Sequence, residues 1–579
     1  MVAASGLNSP APAEQGTPAP PTLWSRICRW ATWGIWGTIA LFAISQPFLW
    51  YVMDSPVGNS LPTMITVAMG IVSFLLFLLW VLAFSQWSGR SRMAAVATMA
   101  LLTGGFVASI RDYDLDGNVF PKFEFRWQPT QAERIAAHKA QLKSDEAAVP
   151  SANLTSVAPE DMPAYRGVNR DGVVIGPQIR TDWTTPPQPL WKQPVGGGFA
   201  SMAIVGDLLV TIEQRDANET VLCYQASTGR ELWKYESPAL FWEGLGGTGP
   251  RSTPTIDADL VFAQGAMGDL LCLELATGKL RWKKNLLELF QLPNTQWGMT
   301  CSPLVVENRV IANAGGRRGD GLVAFDRSSG DLLWAGTGLS LPASDTPDST
   351  TAPPSAADEA GHAKVPESDQ NRPGYSSPTL VTIHGVRQIL NFDGTGVRGC
   401  DVETGKSLWF FAHENGAAVN AAQPILFDDG RVFISCSYTI GCAMVQVAHE
   451  GEKWSVTQLW ANKNMRCKMT SPVLFEGYLY GLDEGYLTCL DPQTGERSWK
   501  RSREGSYQHG QLLLTNGIIV ALTEDGRCVF VKPNPQGLEE LGQFPALSSD
   551  YKTWNPPALV RGKLYVRNHH DMAAYDLNP

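Results

Sequence analysis

The sequence has 579 residues, of which 44% are apolar and 18% are charged, and its formal net charge is −10. This composition is typical of a folded chain, and the acidic balance, without a long run of Lys and Arg, argues against a nucleic-acid partner. The ten Cys include no Cys-x-x-Cys pair, which argues against a zinc ribbon or a thioredoxin-like redox motif.

The N-terminal part predicts a disordered tail followed by a membrane anchor. Residues 1–22 are rich in Pro, Ala, Ser and Gly and cannot bury enough apolar surface to fold. Uncharged apolar stretches follow at 30–53, 61–84 and 93–110. A spanning helix needs about 20 apolar residues, so the first two are predicted spans. The third is shorter and rich in Ala, Gly and Thr, and the anchor, residues 23–111, therefore has two or three transmembrane helices.

The charges beside these stretches predict an orientation. Arg26 and Arg29 precede the first stretch, the 54–60 loop has no Lys or Arg, and Arg90 and Arg92 precede the third. The positive-inside rule then places the N-terminus in the cytoplasm and, with three spans, everything after residue 110 outside it. With two spans the rest of the chain would be cytoplasmic.

Residues 112–162 are predicted to be a membrane-proximal linker that contains a short polar helix and a flexible spacer. Asp112, Asp114, Asp116 and Gly117 are spaced like the start of an EF-hand calcium loop. The twelfth position, where that loop needs a bidentate Glu, is Phe123. We therefore interpret this segment as a solvated turn at the membrane surface, and no metal site is predicted.

The rest of the chain contains a repeated turn. In five places a Gly is followed four residues later by Trp, and an acidic or amide residue precedes the Gly by four. Each unit reads as two strands joined by a tight turn, in which Gly supplies a positive φ and the preceding side chain accepts hydrogen bonds from the turn. At this spacing each Trp is predicted to pack between neighbouring units. The pairs are Gly229 and Trp233, Gly278 and Trp282, Gly330 and Trp334, Gly405 and Trp409, and Gly495 and Trp499.

Eight similar strand openings recur along the same region, starting at Ser201, Ser252, Ser302, Ser377, Gln423, Ser471, Gln511 and Pro556. Each opening leads into about four short strands, which is the blade of a propeller. The sequence therefore predicts an all-β, eight-bladed β-propeller over residues 163–579, with seven blades as the alternative. The Pro-, Ser- and Ala-rich segment 338–373 is predicted to be a disordered insertion between blades three and four.

The two ends of this region predict how the ring closes. The last unit stops after Leu577 without a Trp strand, whereas Trp191 stands before the first opening without a unit of its own. Adding the Trp191 strand to the last blade would close the ring without a bare edge. Two blades lack the regular turn: the fifth has Gly451 followed by Trp454, and the seventh has no such turn near Pro533.

These units resemble the Trp-docking motif of PQQ-dependent alcohol dehydrogenases and of the propeller lipoprotein in the outer-membrane β-barrel assembly machinery. The segment from Tyr165 to Gly172 further resembles a group of bacterial PQQ-like propeller proteins. In the dehydrogenases, PQQ lies in the central channel beneath a ring formed by two adjacent, disulfide-bonded Cys, beside a calcium ion. This sequence has no Cys-Cys pair and no catalytic residue that can be placed by the resemblance.

The resemblance therefore implies a binding or scaffolding propeller without catalysis or cofactor, anchored in the bacterial inner membrane and facing the periplasm or outer side. A quinoprotein-like oxidoreductase that uses PQQ is the alternative. A third possibility is a partner in an envelope assembly that adds a strand at an edge of the propeller.

Several further residues are of types that can carry chemistry. Five Cys on matching strands (Cys223, Cys272, Cys400, Cys489 and Cys528) are predicted to be buried free thiols. Whether Cys436 and Cys442 form a disulfide is left open. The Gly-rich loop 244–249 matches G-x-G-x-x-G but leads into a strand, so a loop over the propeller face is favoured over a phosphate site. His569 and His570 are adjacent and are not expected to be metal ligands together.

The residues that precede the channel-lining strands are expected to converge on one rim. Cationic, amide and aromatic groups gathered there would suit an anionic or sugar-like small molecule, or a protein ligand at the propeller face. The alternative is that they cap backbone groups and bind only water. These candidate ligand-binding residues are Arg251, Trp297, Thr300, Tyr375, Asn420, Lys468, His509 and Asn555.

Overall fold

The computed structural model describes residues 22–52, 60–117, 119–141, 157–316, 320–339, 371–501 and 505–579. Most of the predicted tail and most of the predicted 338–373 insertion lie outside the described residues. The chain divides into two compact units, one containing the helices up to Ser109 and the other containing everything from Ile110 onward.

The first unit contains three helices that are long and apolar enough to cross a membrane, which confirms the prediction of apolar N-terminal helices. They are Leu23–Pro47, continued by the π-helical turn Phe48–Val52; Ser60–Leu79, continued by the π-helical turn Trp80–Phe84; and Gly89–Ser109. Their few polar groups bond to one another, since the indole N–H groups of Trp50 and Trp80 each donate over 3.2 Å to Thr66 and Thr32. Such internal pairing is what an apolar surrounding requires.

The second unit is an eight-bladed β-propeller of four-stranded antiparallel sheets, as predicted. Blades one to four are formed by Ala203–Val205, Leu208–Arg215, Asn218–Gln225 and Glu231–Pro238; by Thr255–Asp257, Leu260–Gln264, Asp269–Glu274 and Leu280–Asn285; by Leu304–Val306, Arg309–Asn313, Leu322–Asp326 and Leu332–Ala335; and by Thr379–Ile383, Val386–Asp393, Gly396–Asp401 and Ser407–Ala412.

Blades five to eight are formed by Ile425–Leu426, Arg431–Cys436, Gly441–Glu450 and Lys453–Asn462; by Val473–Phe475, Tyr478–Asp483, Tyr486–Leu490 and Arg497–Lys500; by Gln511–Thr515, Ile518–Leu522, Arg527–Lys532 and Glu539–Pro545; and by Ala558–Val560, Lys563–Arg567, Asp571–Asp576 and Trp191–Pro194. Outside the blades lie a hairpin (Ile110–Leu115 and Pro121–Phe125), helices Gln131–Gln141 and Leu286–Leu289, and the short strands Trp242–Glu243 and Gly247–Thr248.

The ring closes as the sequence predicted. The strand Trp191–Pro194 pairs antiparallel with Asp571–Asp576, and Trp191 lies opposite Ala574. The last blade thus combines a strand from the start of the propeller with three strands from its end, so that unfolding at either terminus must break the ring.

The Trp residues join successive blades by one repeated contact. The Trp233 indole N–H donates to the Leu275 carbonyl oxygen of the next blade over 2.8 Å, and its ring lies over Gly278. Trp191 makes the same contact with the Ala226 carbonyl oxygen, also over 2.8 Å, and with Gly229, where an added Cβ would lie 2.7 Å from the ring. The turn glycines are therefore required both for their positive φ and for the space that the ring occupies.

Blade five departs from the predicted pattern. Trp454 does not join it to blade six; instead it stacks on His449 of its own hairpin at 4.0 Å between ring centroids. The joining residue is Trp460, whose indole donates to the Pro492 carbonyl oxygen over 3.0 Å above Gly495. Blade five offers no matching glycine turn to blade four, so Trp409 donates instead to Gln388 within its own blade, over 2.8 Å. Blade seven, where no turn was predicted, still accepts from Trp499 through the Asn534 carbonyl oxygen, over 2.7 Å.

The five Cys predicted to be buried free thiols are buried and free, and so are Cys436 and Cys442. These last two residues cannot form a disulfide across the hairpin, because Cys442 lies opposite Ser435 and Cys436 opposite Gly441. Successive side chains of a strand point to opposite faces, so the two thiols face opposite sides of the sheet.

The Trp-over-Gly contact can be tested with two glycines that share a positive φ. We expect Gly206→Ala, at φ +60° with nothing within 4 Å of the added methyl, to cost only about 1 kcal/mol of unfolding free energy for the backbone conformation. Gly278→Ala, at φ +71°, also forces the Trp233 ring to move and should cost a further 1–3 kcal/mol or so. Urea unfolding measures both, and equal losses would contradict the proposed role of the ring.

Candidate functional site

A cavity of about 270 Å³ occupies the central channel of the propeller. Its wall is formed by residues at the inner ends of successive blades, its floor by Tyr165, and its cover by Asp116, Gly117 and Val119 of the Ile110–Phe125 hairpin. The lining also includes Phe199, Leu245, Arg251, Trp297, Thr300, Ser302, Tyr375, Ser377, Val419, Ala421, Tyr438, Lys468, Met469, His509, Gln511, Trp554 and Pro556.

The floor is a segment that plugs the channel from the opposite side. Arg166 and Arg170, both at positive φ, are buried within it. The Arg166 guanidinium donates to backbone carbonyl oxygens of blades six and seven, those of Ser471, Pro472 and Leu512, over 2.9–3.2 Å. The Tyr165–Gly172 motif noted in the sequence is therefore a channel plug.

Arg170 holds the other side of the plug. It donates to the carbonyl oxygens of Ser302 and Pro378 over 3.1 and 3.0 Å, to that of Pro303, and to the Thr255 hydroxyl oxygen over 3.1 Å. Burial lowers the pKa of Arg170 to about 9. Carbonyl dipoles thus replace water around this guanidinium and tie three blades to one side chain.

The cover is the Ile110–Phe125 hairpin, and its turn is buried at Gly117, which corrects the interpretation of a solvated turn at that residue. Gly117 is buried, and its N–H donates to the Glu524 carboxylate over 2.6 Å. Lys552 is buried and donates to the Asp114 carboxylate over 2.7 Å and to the Leu115 carbonyl oxygen over 2.8 Å. A side chain at position 117 would collide with His509 and Glu524, so the turn fits here because it ends in glycine.

The acidic residues of this turn are engaged by the protein itself. Asp114 is paired with Lys552, and Asp116 accepts the Phe120 N–H over 2.9 Å. Within the described residues, no group of three or more His, Cys, Asp or Glu is arranged to hold a metal ion. The His569 ring packs on Phe199, the His570 ring stacks on Tyr551 at 3.6 Å between centroids, and the two imidazoles meet edge to face at 4.6 Å.

Six of the eight predicted rim residues line the cavity, namely Arg251, Trp297, Thr300, Tyr375, Lys468 and His509. Asn420 and Asn555 do not line it. The Asn420 amide donates to the carbonyl oxygens of Asp393 and His413 over 2.8 and 3.0 Å, and the Asn555 amide donates to those of Gly198 and Ala200 over 3.2 and 2.8 Å. For these two residues the alternative of backbone capping is correct.

Arg251 is held in place by its surroundings. Its guanidinium lies 3.3 Å from the Glu243 carboxylate and 4.9 Å from the centroid of the Phe241 ring, and it also donates to the Gly249 carbonyl oxygen. Burial lowers its pKa to about 10, so the group stays cationic at neutral pH. It gives one side of the cavity a positive charge that is partly balanced by Glu243.

Lys468 differs from Arg251 because the described part of the chain contains no hydrogen-bond acceptor for its ammonium group. Burial lowers its pKa, and the Glu484 and Glu524 carboxylates raise it in part. Both carboxylates have other donors, since Glu484 accepts the Ser437 hydroxyl over 2.5 Å and Glu524 accepts from His509. Lys468 is therefore a partly buried cation that faces the cavity with its donors uncommitted.

His509 and Glu524 form the polar centre beneath the cover. The His509 Nδ1 atom lies 2.8 Å from the Glu524 carboxylate, which also accepts the His509 N–H over 3.1 Å. Burial alone would raise the pKa of Glu524, but the His509 charge and the N–H groups of His509 and Gly117 lower it to about 2. The same carboxylate thus fixes a cavity residue and the cover.

Sequence reasoning found Trp297 and Tyr375 but missed three other aromatic residues of the site. Phe199, Trp554 and Tyr438 line the cavity, and the buried Trp554 indole nitrogen has no hydrogen-bond partner in the described structure. Trp554 immediately precedes Asn555, so it too belongs to the residues that precede a channel-lining strand and could have been predicted in the same way. Tyr438 belongs to a turn between the second and third strands of blade five, and no pattern in the openings points to it. The Gly-rich loop does lie over the propeller face, with Leu245 in the lining.

The pKa of Glu524 leads to a pH prediction. Because its folded-state pKa lies below its ordinary value, the carboxylate stabilises the fold above about pH 4.5, and this contribution of about 3 kcal/mol is lost as the pH falls towards 2. Glu524→Gln should therefore be much less stable than the unmodified chain at pH 7, and the difference should shrink on acidification. Urea unfolding measures it, with exposed Glu496→Gln as control. A difference that does not change with pH would contradict the assignment.

Comparisons with known proteins give one family match and several similar solved structures. Residues 217–501 match the family described as outer membrane protein assembly factor BamB. A comparison with curated proteins gave no match. Among solved structures, BamB from Moraxella catarrhalis is 14% identical, covers 68% of this chain and 98% of its own, and has a TM-score of 0.45.

Two quinoprotein structures are also similar over most of this chain, at low sequence identity. Quinohemoprotein alcohol dehydrogenase from Comamonas testosteroni is 14% identical over 77% of this chain and 84% of its own, with a TM-score of 0.41. The enzyme ADHIIG from Pseudomonas putida HK5 is 13% identical over 72% of this chain and 80% of its own, with a TM-score of 0.42. The chain is therefore an eight-bladed β-propeller in which residues 217–501 are similar to the family described as outer membrane protein assembly factor BamB.

Proposed function

We propose that this chain is a membrane-tethered binding module of the cell envelope, whose propeller holds a small anionic ligand in its channel cavity. The observation that carries the proposal is Lys468, a partly buried ammonium that faces the cavity without an acceptor in the described structure. A buried cation is costly unless an opposite charge or acceptor accompanies it. A bound anion would supply that partner.

The rest of the lining supports a ligand with a flat or ring-shaped part. Trp297, Trp554 and Tyr375 present aromatic surface to the same cavity that Lys468 and Arg251 make positive. Aromatic faces pack against rings and sugar carbons, whereas the cations bind carboxylate or phosphate oxygens. A volume of about 270 Å³ lies at the small end of ligand sites, which fits a single small molecule.

The tether and its side of the membrane are supported by the first unit. Three helices have the length and composition of membrane spans. By the positive-inside rule, Arg26 and Arg29 before the first helix and Arg90 and Arg92 before the third favour a propeller outside the cytoplasm. The match to a family described as an outer-membrane assembly factor is consistent with a periplasmic or outer location on a bacterial inner membrane.

The residues present do not fit a metal-assisted quinone cofactor. A PQQ site of the dehydrogenase kind needs oxygen ligands for a cation, and the nearby carboxylates of Asp114, Glu524 and Asp116 are engaged by Lys552, by His509 and by the Phe120 N–H. The Cys301 thiol, the cysteine next to the lining residues Thr300 and Ser302, points to the Ser376 carbonyl oxygen at 3.0 Å, and burial raises its pKa to about 12. We therefore derive no oxidation step for this cavity.

Native mass spectrometry of the full chain, purified from its host in detergent, tests ligand binding. We expect a bound small molecule on the unmodified protein and its loss from Lys468→Met, because the substitution keeps the length of the side chain and removes the charge. Lys463→Met, at an exposed position five residues away, should retain the adduct. An adduct that persists in Lys468→Met, or an unmodified protein without one, would contradict the proposal.

The quinoprotein alternative has its own test. The full chain mixed with PQQ and calcium should show no dye-linked oxidation of alcohols, because the cavity lacks a donor set for the metal among the described residues. A boiled sample provides the background rate. Oxidation clearly above that background would make the oxidoreductase the better assignment.

A further inference from the structure

The propeller face that carries the cavity mouth, which we call the mouth face, exposes unusually large apolar side chains. The hairpin and the residues after it expose Tyr113, Phe120 and Trp127, the last to 70%. The neighbouring loop between blades one and two exposes Leu240 and Trp242, the latter to 61%. Large exposed apolar groups that are clustered rather than scattered indicate an interaction surface.

The hairpin and the loop form one surface because a single buried cation joins them. The Lys552 ammonium donates to the Leu115 carbonyl oxygen over 2.8 Å and to the Leu245 carbonyl oxygen over 3.3 Å. Leu245 and the hairpin turn also line the same cavity. The exposed aromatic residues are therefore carried by the hairpin and the loop that border the cavity.

Chain connectivity limits where this surface can be. The third apolar helix ends at Ser109, and the first strand of the hairpin begins at Ile110. An extended chain advances at most about 3.5 Å per residue, so Tyr113 lies within about 14 Å of the end of the helix. A helix end that emerges from the hydrocarbon core enters an interfacial layer in which Tyr and Trp are the preferred side chains.

We propose that the mouth face rests on the bilayer surface, with its Tyr, Phe and Trp side chains in the headgroup layer and the cavity opening towards the membrane. This inference depends on the membrane tether of the proposed function but not on the identity of the ligand. Chain connectivity does not hold the opposite face near the membrane, because the plug on that face lies more than fifty residues after Ser109. The exposed apolar residues there, such as Val168 and Ile175, are aliphatic.

Fluorescence quenching in reconstituted vesicles tests the orientation. The full chain with Cys28→Ser provides the background, because the other nine Cys are buried. A bimane label is attached at Trp242→Cys on the mouth face or at Val168→Cys on the opposite face, two positions of similar exposure. Met267→Cys is a second mouth-face position, away from the hairpin, in case the first variant folds poorly. The vesicles are phosphatidylcholine with or without a lipid that carries a nitroxide near its headgroup.

We expect the nitroxide lipid to remove most of the fluorescence at 242 and 267 and to leave that at 168 unchanged. Equal quenching on the two faces, or stronger quenching at 168, would overturn the inference. Flotation of the same vesicles after carbonate extraction reports the tether separately. A chain that floats with the vesicles but is not quenched at 242 or 267 disproves only the orientation, whereas a chain that does not float disproves the tether and the orientation together.

Discussion

The contact on which the propeller depends is the seam between its two ends, where Trp191–Pro194 completes the sheet begun by the C-terminal strands. The same strand carries the first of the Trp-over-Gly contacts, because Trp191 lies over Gly229 of blade one. Blades one to four and blade six present a glycine turn to the Trp of the blade before them. This repeated contact therefore joins most of the ring, and a central channel follows from its closure.

The segment before this strand shapes the channel. Moving along the chain, the hairpin covers one mouth, Arg166 and Arg170 plug the opposite side, and Trp191 closes the ring. Both plug residues bond to carbonyl oxygens rather than carboxylates, so they fill the channel without altering the acidic groups near its mouth. What remains is a short, partly covered space whose uncommitted charge in the described structure is Lys468. Function is therefore inferred from this space and not from the fold, which serves many activities.

Local patterns predicted the parts of this architecture that depend on local contacts. The glycine turns could be predicted directly, because each turn needs its own glycine. The Trp191 strand could be predicted because the last unit lacks a Trp strand, whereas Trp191 precedes the first opening without a unit of its own. Trp460 was missed because the hairpin of blade five is longer, and its docking partner Gly495 belongs to the next blade. The cover was missed for a similar reason, since Gly117 and Glu524 are far apart in sequence. Asn420 and Asn555 do not line the cavity, because their amide N–H groups donate to neighbouring carbonyl oxygens.

The central claim is that the covered cavity holds an anionic ligand against Lys468. An electron cryo-microscopy map of the full chain, purified from its host and placed in a lipid nanodisc, tests this claim most directly. The account predicts density for a small molecule between Tyr165 and Gly117, with an electronegative group within hydrogen-bond distance of the Lys468 ammonium. A well-resolved cavity that contains only water, or a Lys468 side chain bonded to a carboxylate of the protein, would contradict it.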